Sequence, residues 1–385
     1  MWLLDVKTLE LKEFFGHNIP PYVILSHTWG PEEVSFVEMK KWKYREMAES
    51  KAGFIKIKGC CDQARRDGFA WAWVDSCAID KRSSAELSEA INSMFQWYKD
   101  SDRCYVYLSD VPSGSEAISM LKKSRWFTRG WTLQELVAPR KIVFFAQDWS
   151  PIGYQARYTD LFDSGEISIN ASSVDLTDEI STITNIPRDF LTGERGVSQA
   201  CVAQRMFWAS RRETTRAEDR AYSLMGLFNI SMPVIYGEGL EKAFERLQRE
   251  IVTKTTDQSI LAWHRPDTVS HSLLAQSPDC FKASGTVTKL VRSPWLTWTS
   301  FSMTNLGLRI TLRMKDPGPL KPGHSTEALL DCCVKADDGK TARIGLRLHF
   351  LSMDFEGHAI FICERLQTWT FCEGEGYPMS MFLRY

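Results

Sequence analysis

YVILSHTWG, residues 22–30, is the stretch that decides the fold. It opens with a short apolar run, bounded by Pro20-Pro21 and Gly30-Pro31, that is typical of a buried strand. Similar runs follow at residues 70–75 (AWAWVD), 104–109 (CYVYLS) and 141–146 (KIVFFA). Helical patterns separate the runs, and continuous apolar strands that alternate with helices indicate a parallel sheet covered on both faces.

Downstream, the hydrophobic period changes, and the changes predict three parts. Residues 1–150 form the α/β core, in which a Ser83–Glu86 capping box begins one helix. Residues 151–265 have mainly helical patterns, again with a capping pair, Thr215 and Glu218. Residues 266–385 alternate with period two, which predicts a smaller β-rich domain built as an antiparallel sheet, as a small sandwich or a meander. Limited proteolysis is expected to cut at residues 265–272.

The composition is that of an ordinary globular protein. The chain has 385 residues, 44% of them hydrophobic, and a formal net charge of -1, which excludes wholesale disorder and gives no overall footprint for nucleic acid or a membrane surface. A basic stretch at residues 40–66 is interpreted as a solvated helix face. Ten cysteines without a C-x-x-C spacing predict buried reduced thiols. With no signal-peptide pattern and no membrane-spanning run, we expect a cytoplasmic protein.

Several familiar catalytic motifs are absent from the sequence. There is no phosphate-binding G-x-x-x-x-G-K-[ST], no G-x-G-x-x-G after a strand, no H-E-x-x-H and no G-x-S-x-G. The seven histidines show no ligand spacing, so we predict no metal site and no bound cofactor.

Polar residues stand where the predicted parallel strands end, and ligands bind at this rim of an open α/β sheet. They are Ser26, His27, Thr28 and Trp29 after the first strand, Asp75, Ser76 and Asp80 after the second, and Ser109 and Asp110 after the third. Helix capping is the alternative, and we favour it for Asp80, Ser83 and Asp110. Ser26 and His27 beside Trp29 suit a ligand with an aromatic ring.

Glu135 is the remaining candidate, because it is the only carboxylate between Glu116 and Asp148 and lies in an apolar helical segment. A carboxylate in such a place is either paired with an arginine or set in a pocket for chemistry. Spacing alone favours the structural pair, with Arg125 or Arg129 as the partner.

Several blocks of the sequence resemble, in the right order, the signatures of the fungal heterokaryon-incompatibility (HET) domain. They are LSHTWG at residues 25–30, WVDSCAIDK at 73–81, SEAINSMF at 88–95, RGWTLQEL at 129–136, TTRAEDRAYSL at 214–224 and YGEG at 236–239. The resemblance covers residues 1–265. It implies a role in fungal non-self recognition, programmed cell death and innate immunity.

The HET domain is in turn similar to the TIR domain, which implies a flavodoxin-like α/β module. Ser124 and Trp126 followed by Glu135-Leu136 resemble the TIR pattern, although the spacing fits Trp131 better, at the loss of the serine. The matching Glu is catalytic in NAD-cleaving members, which implies Glu135 as the catalytic residue and NAD as the substrate.

By the same analogy Ser26, His27 and Trp29 line the nucleotide pocket, and Asp75 or Ser76 holds a ribose hydroxyl. Self-association is implied for activity. The rival hypothesis is a non-catalytic signalling module that binds other signalling proteins, with Glu135 as a buried structural acid. In a further, weaker hypothesis the C-terminal sheet senses a partner and regulates the N-terminal module.

Overall fold

The computed structural model describes most of the chain as two compact units. The described residues are 1–16, 18–157, 174–264, 272–290, 301–315, 321–335, 341–353, 359–364, 370–372 and 377–384. The N-terminal unit comprises Met1–Val197, Arg212–Thr214 and Ser223–Val234, and the C-terminal unit comprises Ser198–Arg211, Thr215–Tyr222 and Ile235–Tyr385. The division into three parts at residues 150 and 265 stays a prediction, and the expected proteolytic site lies outside the described residues except for Ser272.

An eight-stranded mixed sheet forms the centre of the N-terminal unit, in the order β2-β1-β4-β3-β5-β6-β7-β8. Its strands are β1 (Trp2–Asp5), β2 (Leu11–Glu13), β3 (Val23–His27), β4 (Trp71–Trp73), β5 (Arg103–Tyr107), β6 (Lys141–Phe145), β7 (Pro151–Ala156) and β8 (Val174–Asp175). The four predicted strands β3 to β6 are parallel, as expected. β1 joins β4 antiparallel, and β7 joins β6 antiparallel, so the sheet continues past residue 150.

The order of the parallel strands determines where a ligand site can form. Across the sheet they lie in the order β4, β3, β5, β6, so the first two strands in the chain are exchanged. This is the flavodoxin-like order of a doubly wound sheet. From β3 the chain continues to β4 on one side and then to β5 on the other side, so the direction of the connections changes at β3. Ligands bind outside the carboxyl ends of the strands where this direction changes. β3 is buried along its whole length, which explains its continuous apolar sequence up to Ser26.

Helices in the N-terminal unit connect the strands. They are α1 (Phe36–Lys40), α2 (Arg45–Glu49), α3 (Ala52–Arg66), α4 (Asp75–Ala78), α5 (Ser84–Asp100), α6 (Ala117–Met120), α7 (Thr132–Val137), α8 (Thr177–Thr184) and α9 (Arg188–Leu191), with 3₁₀ turns at Trp42–Tyr44, Leu121–Lys123, Arg125–Thr128 and Gly226–Phe228. The side chain of Ser83 caps α5 by accepting the Glu86 N–H at 3.2 Å, which is one half of the predicted capping box, whereas the Glu86 carboxyl accepts the Asp80 N–H at 3.0 Å. Met94 and Tyr98 face the core.

The basic stretch at residues 40–66 is only partly the solvated face that we expected. Lys58 pairs with Asp62 on the surface of α3. Lys56, in contrast, is buried and donates to the Thr28 carbonyl and to Glu33. This buried lysine ties α3 to the loop that follows β3.

The C-terminal unit begins with helices. They are α10 (Val202–Ala209), α11 (Asp219–Tyr222) and α12 (Leu240–Lys254), with 3₁₀ turns at Gln258–Leu261, Pro278–Phe281 and Ser284–Thr286 and, at the change from one unit to the other, at Val197–Gln199. Glu218 is not only a candidate cap: its carboxylate accepts the N–H groups of Gly237 and Gly239 at 2.9 and 3.1 Å. Both glycines have positive φ (97° and 83°), which favours glycine in the YGEG block.

A second, mainly antiparallel sheet completes the C-terminal unit. Its strands are β9 (Val287–Lys289), β10 (Ser302–Thr304), β11 (Gly307–Met314), β12 (Ser325–Lys335), β13 (Thr341–Met353), β14 (Ala359–Glu364), β15 (Thr370–Cys372) and β16 (Tyr377–Arg384). The predicted alternation is confirmed, since Leu308, Ile310 and Leu312 are buried and Arg309 is exposed. Pairing of β11 with β12 closes β11, β16, β14, β13 and β12 into a ring, and β14 and β16 run parallel. The ring is more closed than the predicted sandwich or meander.

Candidate functional site at the end of β3

Ser26, at the end of β3, connects two residues that lie far away in sequence. Its hydroxyl donates to Glu135 Oε2 at 2.5 Å and accepts a hydrogen bond from Trp126 Nε1 at 2.7 Å. An indole N–H can only donate, so the serine proton is directed to the glutamate. Tyr98 completes this set, because its hydroxyl hydrogen-bonds the same carboxyl and donates to the Leu25 carbonyl at 3.0 Å. We call Ser26, Tyr98, Trp126 and Glu135 the inner cluster.

Helix α7 carries Glu135 into the interior, and all six of its residues are buried. The Arg212 guanidinium fixes the start of this helix by donating to the Arg129 carbonyl at 3.0 Å and to the Thr132 hydroxyl at 2.9 Å. Gly130 allows the close approach of the segment that carries Arg212, because a Cβ at this position would lie 2.5 Å from Thr214. The residues of the RGWTLQEL block therefore hold the Glu135 carboxyl in a fixed position.

Burial determines the charge of Glu135, which is 7% exposed. Burial raises the pKa of Glu135 to about 8, and the negative charge of Asp75 acts in the same direction. The hydrogen bond from Ser26, the interaction with the Tyr98 hydroxyl and the positive charge of Arg212 oppose the shift without cancelling it. Glu135 is therefore mainly a neutral carboxylic acid at neutral pH.

Asp75 is at the centre of a second group, next to the first. His27 Nε2 lies 2.9 Å from Asp75 Oδ1, and Trp29 Nε1 donates to Asp75 Oδ2 at 2.8 Å. The Lys81 ammonium lies 3.4 Å from the centroid of the Trp29 ring, a cation–π contact. We call His27, Trp29, Asp75 and Lys81 the outer cluster.

Asp75 is an anion. Burial alone would raise the pKa of Asp75, but the hydrogen bond and charge of His27, the charge of Lys81 and the hydrogen bond from Trp29 lower it to about 2. Its side chain is 23% exposed, so the charge faces solvent at the rim of the sheet. The two carboxyls at the end of β3 thus differ in protonation at neutral pH.

Two buried polar atoms beside Asp75 have no hydrogen-bond partner: His27 Nδ1 and Ser76 Oγ. Buried polar groups in native proteins are nearly always paired, so each exception calls for an explanation. His27 Nε2 pairs with Asp75, so Nδ1 is an acceptor in the neutral ring and a donor in the protonated ring, and a ligand hydroxyl can pair with either form. Both atoms are therefore candidates for a contact with a ligand hydroxyl.

The predicted site residues thus separate into those that meet and those that do not. The structure brings together Ser26 and Glu135 in one cluster and His27, Trp29 and Asp75 in the other, with Ser76 beside them. Asp80, Ser83 and Asp110 have the local structural roles that we favoured: Asp80 binds Arg82, Ser83 caps α5, and Asp110 accepts from Ser124 and the Arg125 N–H.

The expected pairing of Glu135 with Arg125 is wrong. Arg125 is on the surface, 3.8 Å from Asp110, and the arginine charge that acts on Glu135 belongs to Arg212. Spacing misled here because Arg125 lies on a 3₁₀ turn and not on a continuous helix with Glu135. Of the two tryptophans weighed for the TIR pattern, Trp126 is the one in the inner cluster. Ser124 caps the 3₁₀ turn that contains Trp126.

Sequence reasoning missed Tyr98, Lys81 and Arg212. Tyr98 was a core position of a helix, and the signal was a tyrosine where an aliphatic residue would fill the same space. Lys81 follows Asp75 within a quoted block, where its charge could have been noticed. Arg212 is separated from Glu135 by most of the helical region, and no local pattern connects them.

Comparisons with known proteins bear on these residues. Residues 22–117 match the family described as Heterokaryon incompatibility protein (HET). This segment is therefore similar to a HET domain. Residues 242–271 match a domain of unknown function, DUF8212. Over 249 residues the chain is 45% identical to the Vegetative incompatibility protein HET-E-1 of Podospora anserina, across 62% of this chain and 17% of that protein's length. No solved structure matches the chain significantly.

The segment that matches the HET family contains the whole outer cluster together with Ser26, Ser76 and Tyr98, whereas Trp126 and Glu135 follow it in the chain. Its cysteines Cys60, Cys61, Cys77 and Cys104 are buried thiols that form no disulfide. Within the described residues, no three His, Cys, Asp or Glu side chains are grouped as metal ligands. None of the described helices is long and apolar enough to cross a membrane.

Proposed function

We propose that this chain acts in incompatibility-type non-self recognition in the cytoplasm and that its N-terminal unit is an effector that hydrolyses NAD at the nicotinamide–ribose bond. The HET domain and the similarity to a protein named for vegetative incompatibility support the first part. The resemblance of the Glu135 segment to NAD-cleaving TIR domains suggests the second. The chain spans 17% of that relative's length, so its partners and the trigger are also part of the proposal.

The reaction needs few catalytic groups. The bond between nicotinamide and ribose C1′ breaks, its electron pair leaves with nicotinamide, and nicotinamide departs as a neutral molecule. Positive charge develops on the ribose as it does in glycoside hydrolysis. Water then adds to C1′ and releases a proton, which leaves ADP-ribose. A carboxylate can stabilise the positive charge and accept that proton.

The pair of unlike carboxyls carries the proposal. Where the surroundings push the pKa values of two carboxyls apart, one carboxyl is an anion at neutral pH and the other can carry a proton. Asp75, with a pKa of about 2, provides permanent negative charge and an acceptor for ribose hydroxyls. Glu135, with a pKa of about 8, is a strong base once ionised and is held by Ser26 for the water proton.

The remaining residues bind the substrate in this scheme. His27 Nδ1 and Ser76 Oγ receive the ribose hydroxyls that would satisfy them. Trp29, 45% exposed, offers an aromatic face for a planar base. Self-association of the chain, as the TIR resemblance implies, would bring Glu135 and the bound ribose into register.

The test is nicotinamide release from NAD by the purified chain at high concentration, with and without a fused dimerisation module. We expect release that increases on forced association. Glu135→Gln keeps the size of the side chain and the acceptor for Ser26, but it cannot ionise and accept the water proton, and this loss should lower the rate by about 10²–10⁴. Glu89→Gln, the same change on the exposed face of α5, should leave the rate unchanged. Full turnover by a folded Glu135→Gln protein would end the catalytic assignment.

A non-catalytic signalling module is the second candidate, and the burial of Glu135 favours it. The carboxyl is 7% exposed and already bound by Ser26, as a structural acid would be. In that case forced association releases no nicotinamide, and Glu135→Gln still triggers cell death when expressed in a fungal host.

A further inference from the structure

Lys81 is a cation at the rim of the site without a fixed anionic partner. Its ammonium lies over the exposed Trp29 ring, and Asp75 and Glu33 act on it only through space. An ammonium prefers a hydrogen-bonded anion to the face of an indole, because a cation–π contact is weaker than a charge-assisted hydrogen bond. Lys81 is therefore available to a ligand.

The other cations near this loop are already committed. Arg82 forms a two-point contact with Asp80, at 2.9 and 2.6 Å. Lys56 is buried and donates to the Thr28 carbonyl and to Glu33. Among the described residues around Trp29, Lys81 is thus the side chain that can bind an incoming anion by a simple rotation.

We propose that Lys81 is the phosphate ligand of this site, so that the site takes a ribose with a 5′-phosphate and discriminates against the bare nucleoside. The inference rests on the proposed function, since it assumes that the ribose hydroxyls lie at Asp75, His27 and Ser76. A phosphate on that ribose draws Lys81 away from the indole, and the same movement uncovers the Trp29 face for a planar base.

Charge explains why a phosphate needs this lysine. Asp75 is a permanent anion at the rim, and it repels a phosphate that binds next to it. Lys81 offsets the repulsion and adds a charge-assisted hydrogen bond. Removing its charge therefore abolishes the advantage that a phosphate has over the bare nucleoside. For a nucleoside without phosphate, Lys81 is only the cover of the Trp29 ring.

The test uses nicotinamide mononucleotide and nicotinamide riboside, which share the bond to be broken and differ by one phosphate. Calorimetry gives the Kd of each for the full chain, and nicotinamide release gives kcat/KM. We expect the wild type to prefer the mononucleotide by about tenfold or more, as the contribution of one charged hydrogen bond implies. Lys81→Met should bring that ratio close to one, and Lys81→Arg should preserve it. Arg82→Met is the matched control and should not change it.

The outcomes separate the two proposals. Preference for the mononucleotide that Lys81→Met abolishes, without any nicotinamide release, supports the phosphate site and contradicts NAD hydrolysis. Nicotinamide release with equal preference for both probes, unchanged in Lys81→Met, supports hydrolysis and overturns the role of Lys81. Binding of neither probe to the wild type overturns the inference.

Discussion

The inner and outer clusters lie at the end of the same strand, yet they treat a carboxyl in opposite ways. Glu135 is enclosed by Ser26, Tyr98 and Trp126 and holds its proton, whereas Asp75 faces solvent at the rim and has lost it. For Glu135, burial outweighs the hydrogen bond from Ser26 and the charge of Arg212. For Asp75, which is partly exposed, the hydrogen bonds to His27 and Trp29 and the charge of Lys81 outweigh burial. The surroundings of each carboxyl at this end of β3 thus determine whether it is protonated at neutral pH.

Replacing the tryptophan of each cluster should separate them most clearly. Trp126 is fully buried, so Trp126→Ala leaves a large cavity and should lower the free energy of unfolding by about 3–5 kcal/mol. Trp29 is 45% exposed, and Trp29→Ala should cost about 1 kcal/mol, mainly its hydrogen bond to Asp75. Urea denaturation followed by circular dichroism measures both. Equal costs would mean that the inner cluster is not the better packed one.

The charge of Asp75 should contribute stability that disappears in acid. Its folded pKa of about 2 lies below the ordinary 3.8, so the contribution is present above about pH 4 and is lost as the pH falls towards 2. Asp75→Asn should therefore cost about 1–2 kcal/mol at neutral pH and less at pH 3. Denaturation at the two pH values decides the matter, and a cost that does not change with pH contradicts an ionised Asp75.

Glu135 should show the opposite dependence on pH. Its folded pKa of about 8 lies above the ordinary 4.5, so the folded chain keeps a proton that the unfolded chain has released. The stability that this proton provides is complete below about pH 4.5 and is lost as the pH rises through about 8. Glu135→Gln has no carboxyl that titrates in this range. Its melting temperature should therefore rise relative to that of the wild type as the pH is raised. If the melting temperature of Glu135→Gln instead falls relative to that of the wild type as the pH is raised, Glu135 is an ionised carboxylate paired with an arginine.

The smallest expected effect belongs to the serine with no partner. Ser76→Ala removes a buried hydroxyl that forms no hydrogen bond, so it should leave stability unchanged or raise it by up to about 1 kcal/mol. Ser83→Ala, which removes a helix cap, should cost about 1 kcal/mol and is the matched control. A clear loss of stability in Ser76→Ala would show that the hydroxyl is already satisfied in the folded chain and is not waiting for a ligand.

Much of the N-terminal unit could be predicted, because β3 to β6 are apolar runs whose ends carry polar residues. Because parallel strands end at the same edge of the sheet, the residues that follow them lie at that edge. Ser26, His27 and Asp75 could be predicted as site residues for this reason. The partner of Glu135 could not be found in this way. Ser26 and Arg212 reach it from distant parts of the chain, and only the tertiary fold brings them to α7.

The C-terminal unit shows a different limit. Period-two alternation in β11 and β13 determines which side chains are buried, but it is the same in a sandwich, a meander or a closed ring. Closure depends on β11 pairing with both β12 and β16, which is a property of the register and not of the hydrophobic pattern.

That ring has a consequence for how the chain acquires its structure. β16 pairs with both β11 and β14, so closure must wait until residues 377–384 have been synthesised. Until then, β11 and β14 each present an unpaired edge, the kind of surface that pairs with other chains. A chain shortened before β16 should therefore aggregate during synthesis, even though all residues that match the HET family would be present.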